Sequence, residues 1–228
     1  MIEVKELYKS FDSHQVLRGI SLKVRDKERI VILGRSGSGK TVLLKCITGL
    51  LTPDKGRIVI DGREVIPSNE KALFKILRKI GFVFQGSALL DSLTVRENIS
   101  LGPKEQGIKT TDDIVYKNLE LVGLEKRVAD LYPSELSGGM KKLVAIARAV
   151  ALSPKYLFYD EPTSGLDPVM RERIIELILS LSQKLSTTSI IVTHDLVLAK
   201  RVAERILFLK GGSLLLPEDI ENIEEFYE

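Results

Sequence analysis

The sequence has few cysteines, no long apolar run and little excess of charge. Cys46 is its only cysteine, which excludes an internal disulfide and a cysteine-rich metal site, so we expect a small buried hydrophobe there. No run approaches the roughly 18 apolar residues of a membrane-spanning helix. The first ten residues, MIEVKELYKS, lack the basic and then apolar order of a secretory signal. We therefore expect a cytoplasmic protein that needs a partner for any action at a membrane.

The charge pattern argues against a nucleic-acid partner. The formal net charge is +3 over 228 residues, and acidic and basic residues are interspersed along the chain. A mixed, solvated surface is the usual meaning of such a pattern. Basic and aromatic residues do not alternate anywhere, so we predict no nucleic-acid-binding face.

Strand-like and helix-like patterns alternate, which predicts an α/β fold with a mainly parallel sheet. The segments IEVKELY and GISLKV predict an N-terminal antiparallel part, and RIVILG, GFVFQ, YLFYDEP and SIIVTHD predict buried strands. Apolar positions with helical spacing predict one face in Leu73, Ile76, Leu77 and Ile80 and another in Ile174, Leu177, Ile178 and Leu181. Asp167 and Pro168 suit the start of the second helix. Residues 94–152 look helical throughout.

One segment has the pattern of a phosphate-binding loop. GRSGSGKT matches G-x-x-x-x-G-K-[ST] and lies between a predicted strand and a predicted helix. Glycines let successive backbone N–H groups turn toward phosphate oxygens at the positive end of the helix. Lys40 would reach the β- and γ-phosphates of a nucleotide, and the Thr41 hydroxyl would bind Mg²⁺. The predicted nucleotide-binding residues here are Gly34, Arg35, Ser36, Gly37, Ser38, Gly39, Lys40, Thr41 and Val42.

Polar residues at the ends of other predicted strands complete a candidate hydrolytic site. Asp160 and Glu161 follow YLFY, at the sheet edge where α/β folds bind ligands. Asp160 would hold Mg²⁺, and Glu161 would act as the general base for the attacking water. Gln85 could offer its amide oxygen to Mg²⁺ or be an ordinary surface residue. His194 could bond the γ-phosphate or have only a structural role.

The segment LSGGM adds a second helix start suited to phosphate, and the order of the motifs resembles that of ABC transporter ATP-binding subunits. GRSGSGKT, FVFQ, LSGGM, YLFYDEP with SGLDP, and THD follow one another as in that family. The resemblance implies a P-loop NTPase core over 1–90 and 153–228, with a helical subdomain over 91–152 that carries the signature segment. It implies that Phe11 stacks on adenine, with Tyr8 a weaker candidate.

The resemblance also implies an assembly. In this family two subunits pack head to tail around two ATP molecules, and the signature segment of one closes the nucleotide site of the other. Ser137, Gly138 and Gly139 would therefore donate to the γ-phosphate held by a second copy. Gln85, residues 164–167 and His194 would be the Q-loop glutamine, the D-loop and the switch histidine. Hydrolysis would drive transmembrane permease subunits from the cytoplasmic face of the inner membrane.

Short sequence segments near the motifs suggest one branch of the family. Met140 stands where glutamine is commonest, so it either packs at the interface or contacts the neighbouring nucleotide weakly. YPSELSGGM and FQGSALLDSLTVRENI resemble the Mla/Mce branch, which implies phospholipid transport and a lipid-binding substrate protein. Leu89, Leu90 and Leu93 would form part of the groove for a permease helix, or pack in the core. The acidic tail, residues 217–228, would dock on a neighbour or remain a solvated terminus.

Three alternatives compete with lipid transport. Amino acid import and lipoprotein release keep the same ATPase and change the cargo, which membrane and accessory subunits mainly select. A non-transport ABC ATPase is disfavoured, because no sustained heptads separate the loop from the signature segment and the chain has one cassette.

Overall fold

The computed structural model describes residues 1–216 and divides the chain into two compact units. Among the described residues, the first comprises Met1–Leu77 and 188–216, and the second comprises Arg78–Thr187. The predictions for the acidic tail concern residues outside the described part. The predicted boundaries at residues 90 and 153 stay a prediction.

The elements alternate along the chain much as the sequence predicts. In chain order the strands are β1 (Ile2–Phe11), β2 (His14–Val24), β3 (Arg29–Leu33), β4 (Lys55–Ile60), β5 (Arg63–Glu64), β6 (Ile80–Val83), β7 (Tyr156–Asp160), β8 (Thr188–Thr193), β9 (Arg205–Lys210) and β10 (Ser213–Leu215). The α-helices are α1 (Lys40–Ile47), α2 (Glu70–Leu77), α3 (Val95–Glu105), α4 (Asp112–Leu121), α5 (Gly138–Val150), α6 (Pro168–Leu185) and α7 (Leu196–Val202). Short 3₁₀ turns occupy Lys126–Asp130 and Pro133–Glu135.

The first unit contains an antiparallel sheet with the order β2-β1-β4-β5. Ile2 pairs with Val24 on one side and with Ile60 on the other, and all three side chains are buried. Apolar residues that alternate along paired strands bury one face of such a sheet. The predicted N-terminal antiparallel part is therefore confirmed.

The same unit contains parallel strands that deliver the phosphate loop. β3 lies between β8 and β9 and is parallel to both, whereas β10 is antiparallel to β9. The side chains of Ile30 to Leu33 are fully buried, as expected for a strand covered on both faces. Leu33 pairs with Thr193, so the residues that follow β3 and β8 emerge at the same edge.

The second unit contains the parallel pair β6 and β7 together with helices α3 to α6. Val83 pairs with Tyr159, and the rings of Phe82 and Phe84 stack with centroids 4.2 Å apart. Residues 94–152 contain α3, α4, α5 and two 3₁₀ turns joined by loops, with no strand, so the predicted helical region is present but is not helical throughout. Ile99, Leu119 and Leu143 are fully buried and give the helices a common apolar interior.

Two helix predictions have different outcomes. α6 starts as predicted, because the Asp167 carboxylate accepts hydrogen bonds from the Val169 and Met170 N–H groups at 3.0 Å. The helix face predicted for residues 73–80 is wrong at its end. α2 stops at Leu77, and Ile80 is the first residue of β6. Ile80 follows Ile76 by four residues, which is the spacing of one more helical turn. The apolar pattern therefore does not show that the helix has already ended.

Within residues 1–216, no helix has both the length and the apolarity needed to cross a membrane.

The packing of α5 against β6 generates a stability prediction. A methyl group at Gly81 would clash with the Ala149 carbonyl and approach Leu157 Cδ2 at 2.8 Å. Backbone cannot yield as a flexible side chain does, so we expect Gly81→Ala to destabilise the protein by about 1–3 kcal/mol. A lower midpoint of urea unfolding, followed by circular dichroism, would show this. Gly86→Ala is the control, because a methyl group there meets nothing within 4 Å; equal midpoints for both variants would contradict the prediction.

Candidate nucleotide-binding site

The loop after β3 forms an open concave surface at the start of α1. The Gly34 N–H donates to the Thr193 carbonyl at 3.2 Å, which fixes where the loop leaves the sheet. Gly37 and Gly39 have φ values of +79° and +101°, a region that side chains disfavour. Gly39 is the N-cap of α1 and has no side chain with which to cap it. The first N–H groups of α1 are thus suited to an anionic ligand.

Lys40 and Ser38 fit a polyphosphate in this loop. The Lys40 ammonium is buried and donates to the carbonyls of Gly34 and Arg35 at 2.8 and 3.0 Å. The Ser38 hydroxyl is buried without a hydrogen-bond partner, a costly state that a phosphate oxygen would relieve. A cavity of about 460 Å³ opens beside the loop and is lined in part by Val16, Arg18 and Arg35.

Two further predicted residues of the first unit lie at its surface. Phe11 ends β1 and is 44% exposed, with the Lys9 ammonium 5.4 Å from the centroid of its ring. The Tyr8 hydroxyl instead bonds Glu6 at 3.3 Å. His194 is exposed directly after β8, where Asp195 caps α7 by accepting from the Val197 N–H at 3.0 Å. The short helix α7 was not part of the sequence prediction.

In the second unit, Gln85 and the two carboxylates follow paired strands. Asp160 is the last residue of β7 and is 3% exposed, and Glu161 is 6% exposed. Glu161 has a φ of +47°, a left-handed conformation that is strained in a non-glycine residue. Because Val83 pairs with Tyr159, Gln85 and Glu161 both lie two residues beyond a paired position. The pairing therefore brings Gln85 to the same edge as the carboxylates.

Lys142 belongs beside this edge, and the sequence reasoning missed it. Its side chain is 3% exposed, and its ammonium donates to the Gln85 carbonyl at 2.6 Å. Burial lowers the pKa of this ammonium, and the attraction of Asp160 and Glu161 opposes that effect. The available signal was a single lysine on an apolar helical stripe: Lys142, Ile146 and Ala149 follow at four and then three positions.

The signature segment leaves a second helix start open. Ser137 is the N-cap of α5, and its hydroxyl oxygen accepts from the Met140 N–H at 3.2 Å. The hydroxyl hydrogen is thereby left to donate elsewhere. Ser137 and Gly138 are exposed, and a methyl group at Gly138 would meet nothing within 4 Å. Met140 is half-buried, which fits packing better than a polar contact.

A glycine-rich loop that joins a buried strand to a helix, with a lysine folded over it, defines the class of P-loop nucleoside-triphosphate-binding proteins. The profile described as "ABC transporter" matches residues 17–164. The chain belongs to the ABC transporter family, as one of its ATP-binding, ATP-hydrolysing subunits.

Individual relatives agree with this assignment. The chain is 40% identical over 225 residues to the glutamate transport ATP-binding protein GluA of Corynebacterium efficiens, across 97% of this chain and 92% of that protein. It is 41% identical over 214 residues to the methionine import ATP-binding protein MetN of Brucella abortus, across 93% of this chain and 58% of that protein. The chain thus spans little more than half the length of the methionine relative.

Solved structures share the fold. The dimeric bacterial ABC transporter cassette MJ0796 matches with a TM-score of 0.87 at 35% identity, over 94% of this chain and 96% of that one. A dimeric post-hydrolysis state of the same cassette, bound to ADP and Pi, matches with a TM-score of 0.87 at 34% identity, over the same shares of both chains. The predicted α/β P-loop fold is confirmed.

The loop geometry predicts how strongly one lysine contributes to nucleotide binding. Lys40→Ala removes a cation aimed along the loop, so we expect the Kd for a fluorescent ATP analogue to rise at least about tenfold. Lys45→Ala is the matched control, because Lys45 is exposed in the last turn of the same helix. Equal affinities of the Lys40 variant and the unaltered protein, measured by fluorescence titration, would refute the assignment of the loop.

Proposed function

We propose that this ATPase powers the import of an amino acid. The observation that carries the proposal is the 40% identity with a glutamate transport ATP-binding protein over nearly the full length of both chains. The methionine import protein supports the same class of cargo. A polar amino acid would be selected by a separate binding protein and by the permease, while this chain supplies the free energy of ATP hydrolysis.

Phospholipid transport, which the wording around Gln85 and Met140 suggested, has no support among these relatives. The same holds for a lipid-binding substrate protein and for lipoprotein release. In the proposed assembly, the segments around Gln85 and Met140 face the nucleotide and the permease, whereas the cargo contacts other subunits. Resemblance in those segments therefore carries little information about cargo.

The residue roles are proposed as follows. The loop from Gly34 to Thr41 binds the phosphates, and Phe11 offers an exposed ring to the adenine. The Thr41 hydroxyl, the Gln85 amide carbonyl and the Asp160 carboxylate would each offer Mg²⁺ an oxygen atom, the kind of ligand that it prefers. Bound Mg²⁺ would neutralise charge that develops on the phosphates. Glu161 accepts the proton of the attacking water, and the His194 imidazole orients that water by a hydrogen bond.

Two surfaces support the proposed partners. Ser137 and Gly138 are exposed at the start of α5, as needed to reach ATP held by a second copy. Leu90 is 47% exposed, while the buried Asn98 side chain fixes its backbone through bonds of 2.9 and 3.1 Å. A rigidly presented apolar side chain suits a permease helix. We place the assembly at the cytoplasmic face of the inner membrane.

The role of Glu161 is tested by one substitution. Glu161→Gln removes the base but keeps the size of the side chain, so kcat should fall at least about a hundredfold. ATP should still bind, and a dimer should accumulate with Mg-ATP in light scattering. Glu176→Gln, at an exposed position on α6, is the control. Turnover by the Glu161 variant at the unaltered rate would remove this residue from the mechanism.

The cargo is tested in the assembled transporter. Membrane proteins that co-purify with the tagged chain are identified and reconstituted in nanodiscs, and ATPase activity is measured with glutamate, methionine or phospholipid-loaded fractions. We expect stimulation by an amino acid together with its binding protein. Stimulation by phospholipid alone would overturn amino acid import and restore the lipid interpretation.

Leu90→Asp tests the permease surface. This variant should fold, keep basal ATPase activity and lose the membrane partner.

A further inference from the structure

Two cationic side chains of α5 bind four carbonyl groups of the segment that follows β6. The Lys142 ammonium donates to the carbonyls of Phe84 and Gln85 at 3.4 and 2.6 Å. The Arg148 guanidinium donates to the carbonyls of Ser87 and Ala88 at 2.8 and 2.6 Å. One helix therefore holds the backbone on both sides of Gly86.

This backbone needs external support to keep its shape. Ser87 and Ala88 have φ values of +62° and +48°, in the left-handed region that residues with a side chain disfavour. Such conformations persist where the surroundings enforce them. The turn has internal bonds, from Ser87 N–H to the Phe84 carbonyl at 3.1 Å and from Ala88 N–H to the Gly86 carbonyl at 2.7 Å. The four bonds from α5 add the enforcement from outside the turn.

Holding residues 84–88 with charged side chains requires that both charges be partly removed from water. Apolar side chains at these positions would avoid that desolvation cost. Lys142 is buried and Arg148 half-buried, and burial lowers the pKa of each. Charged groups are removed from water only where strong acceptors replace it. Main-chain carbonyls fill that role here, and the attraction of Asp160 and Glu161 acts on Lys142 as well.

We propose that Lys142 and Arg148 are positioning residues that couple the Gln85 segment to the signature segment. α5 is a continuous helix of 13 residues that begins directly after its Ser137 cap. A displacement of residues 84–88 therefore also displaces α5, whose first N–H groups face the neighbouring nucleotide in the proposed assembly. A movement that nucleotide causes in residues 84–88 thus changes the position of the signature segment, and the reverse also holds. The inference rests on the proposed roles of Gln85 and of residues 137–139.

The experiment compares Lys142→Met, which keeps the length without a donor, with Lys142→Gln, which keeps a donor without the charge. Lys117→Met, at an exposed site on α4, is the control. Amide hydrogen exchange in residues 86–90 of the purified chain, together with kcat and KM for Mg-ATP, is measured for each. For Lys142→Met we expect exchange at least tenfold faster, kcat at least tenfold lower and KM within twofold. Lys142→Gln should recover at least half of kcat.

Each alternative result has a definite meaning. Unchanged exchange in residues 86–90 of a folded Lys142→Met protein would overturn the coupling. If kcat falls only in proportion to the folded fraction, and Lys142→Gln does not recover it, Lys142 has a structural role alone. That result would also overturn the coupling. If Lys142→Met does not fold, Arg148→Met and Arg148→Lys at the half-buried position give the same comparison. Normal turnover in Gln85→Ala would refute the role of Gln85 alone, because the exchange measurement does not depend on it.

Discussion

Parallel strand pairing is the constraint on which the candidate site residues of each unit depend. Leu33 pairs with Thr193 in one unit, and Val83 pairs with Tyr159 in the other. In each pair the loops leave at a common edge, because parallel strands run in the same direction. A shift of one residue in β7 would move the buried Asp160 side chain to the opposite face of the strand, away from the groups that surround it here. The pairing that builds the core therefore also fixes where the polar groups stand.

Buried and half-buried cations in both units compensate for the loss of water in the same way. Lys40, Lys142 and Arg148 each donate to main-chain carbonyls that belong to loops at strand ends. A carbonyl replaces the hydrogen bonds of water without neutralising the charge. Such a cation keeps its attraction for anionic groups while its side chain orders a loop. The same ammonium or guanidinium group thus both orders a loop and supplies positive charge near it.

Local chemistry was predictable from the sequence, and long-range contacts were not. The strand before Gly34, the cap at Asp167 and the apolar face around Ile178 are encoded within a few neighbouring residues, so periodicity and capping patterns found them. Lys142 was missed because its acceptors lie 57 and 58 positions away along the chain, where no local pattern points. Ile80 was misassigned because helix and strand spacings coincide over short runs. The lipid cargo expected from local sequence patterns finds no support among the relatives.

The contact between Gly139 and Met170 has a consequence for how the family can vary. A methyl group at Gly139 would come within 2.7 Å of Met170 Cε, and Met170 lies in the first turn of α6 beside its Asp167 cap. A larger residue at position 139 would therefore displace the Met170 side chain, whose Cγ would lie 2.9 Å from the added methyl group. A smaller side chain at position 170 would leave room for that residue and keep the spacing of the two helix starts.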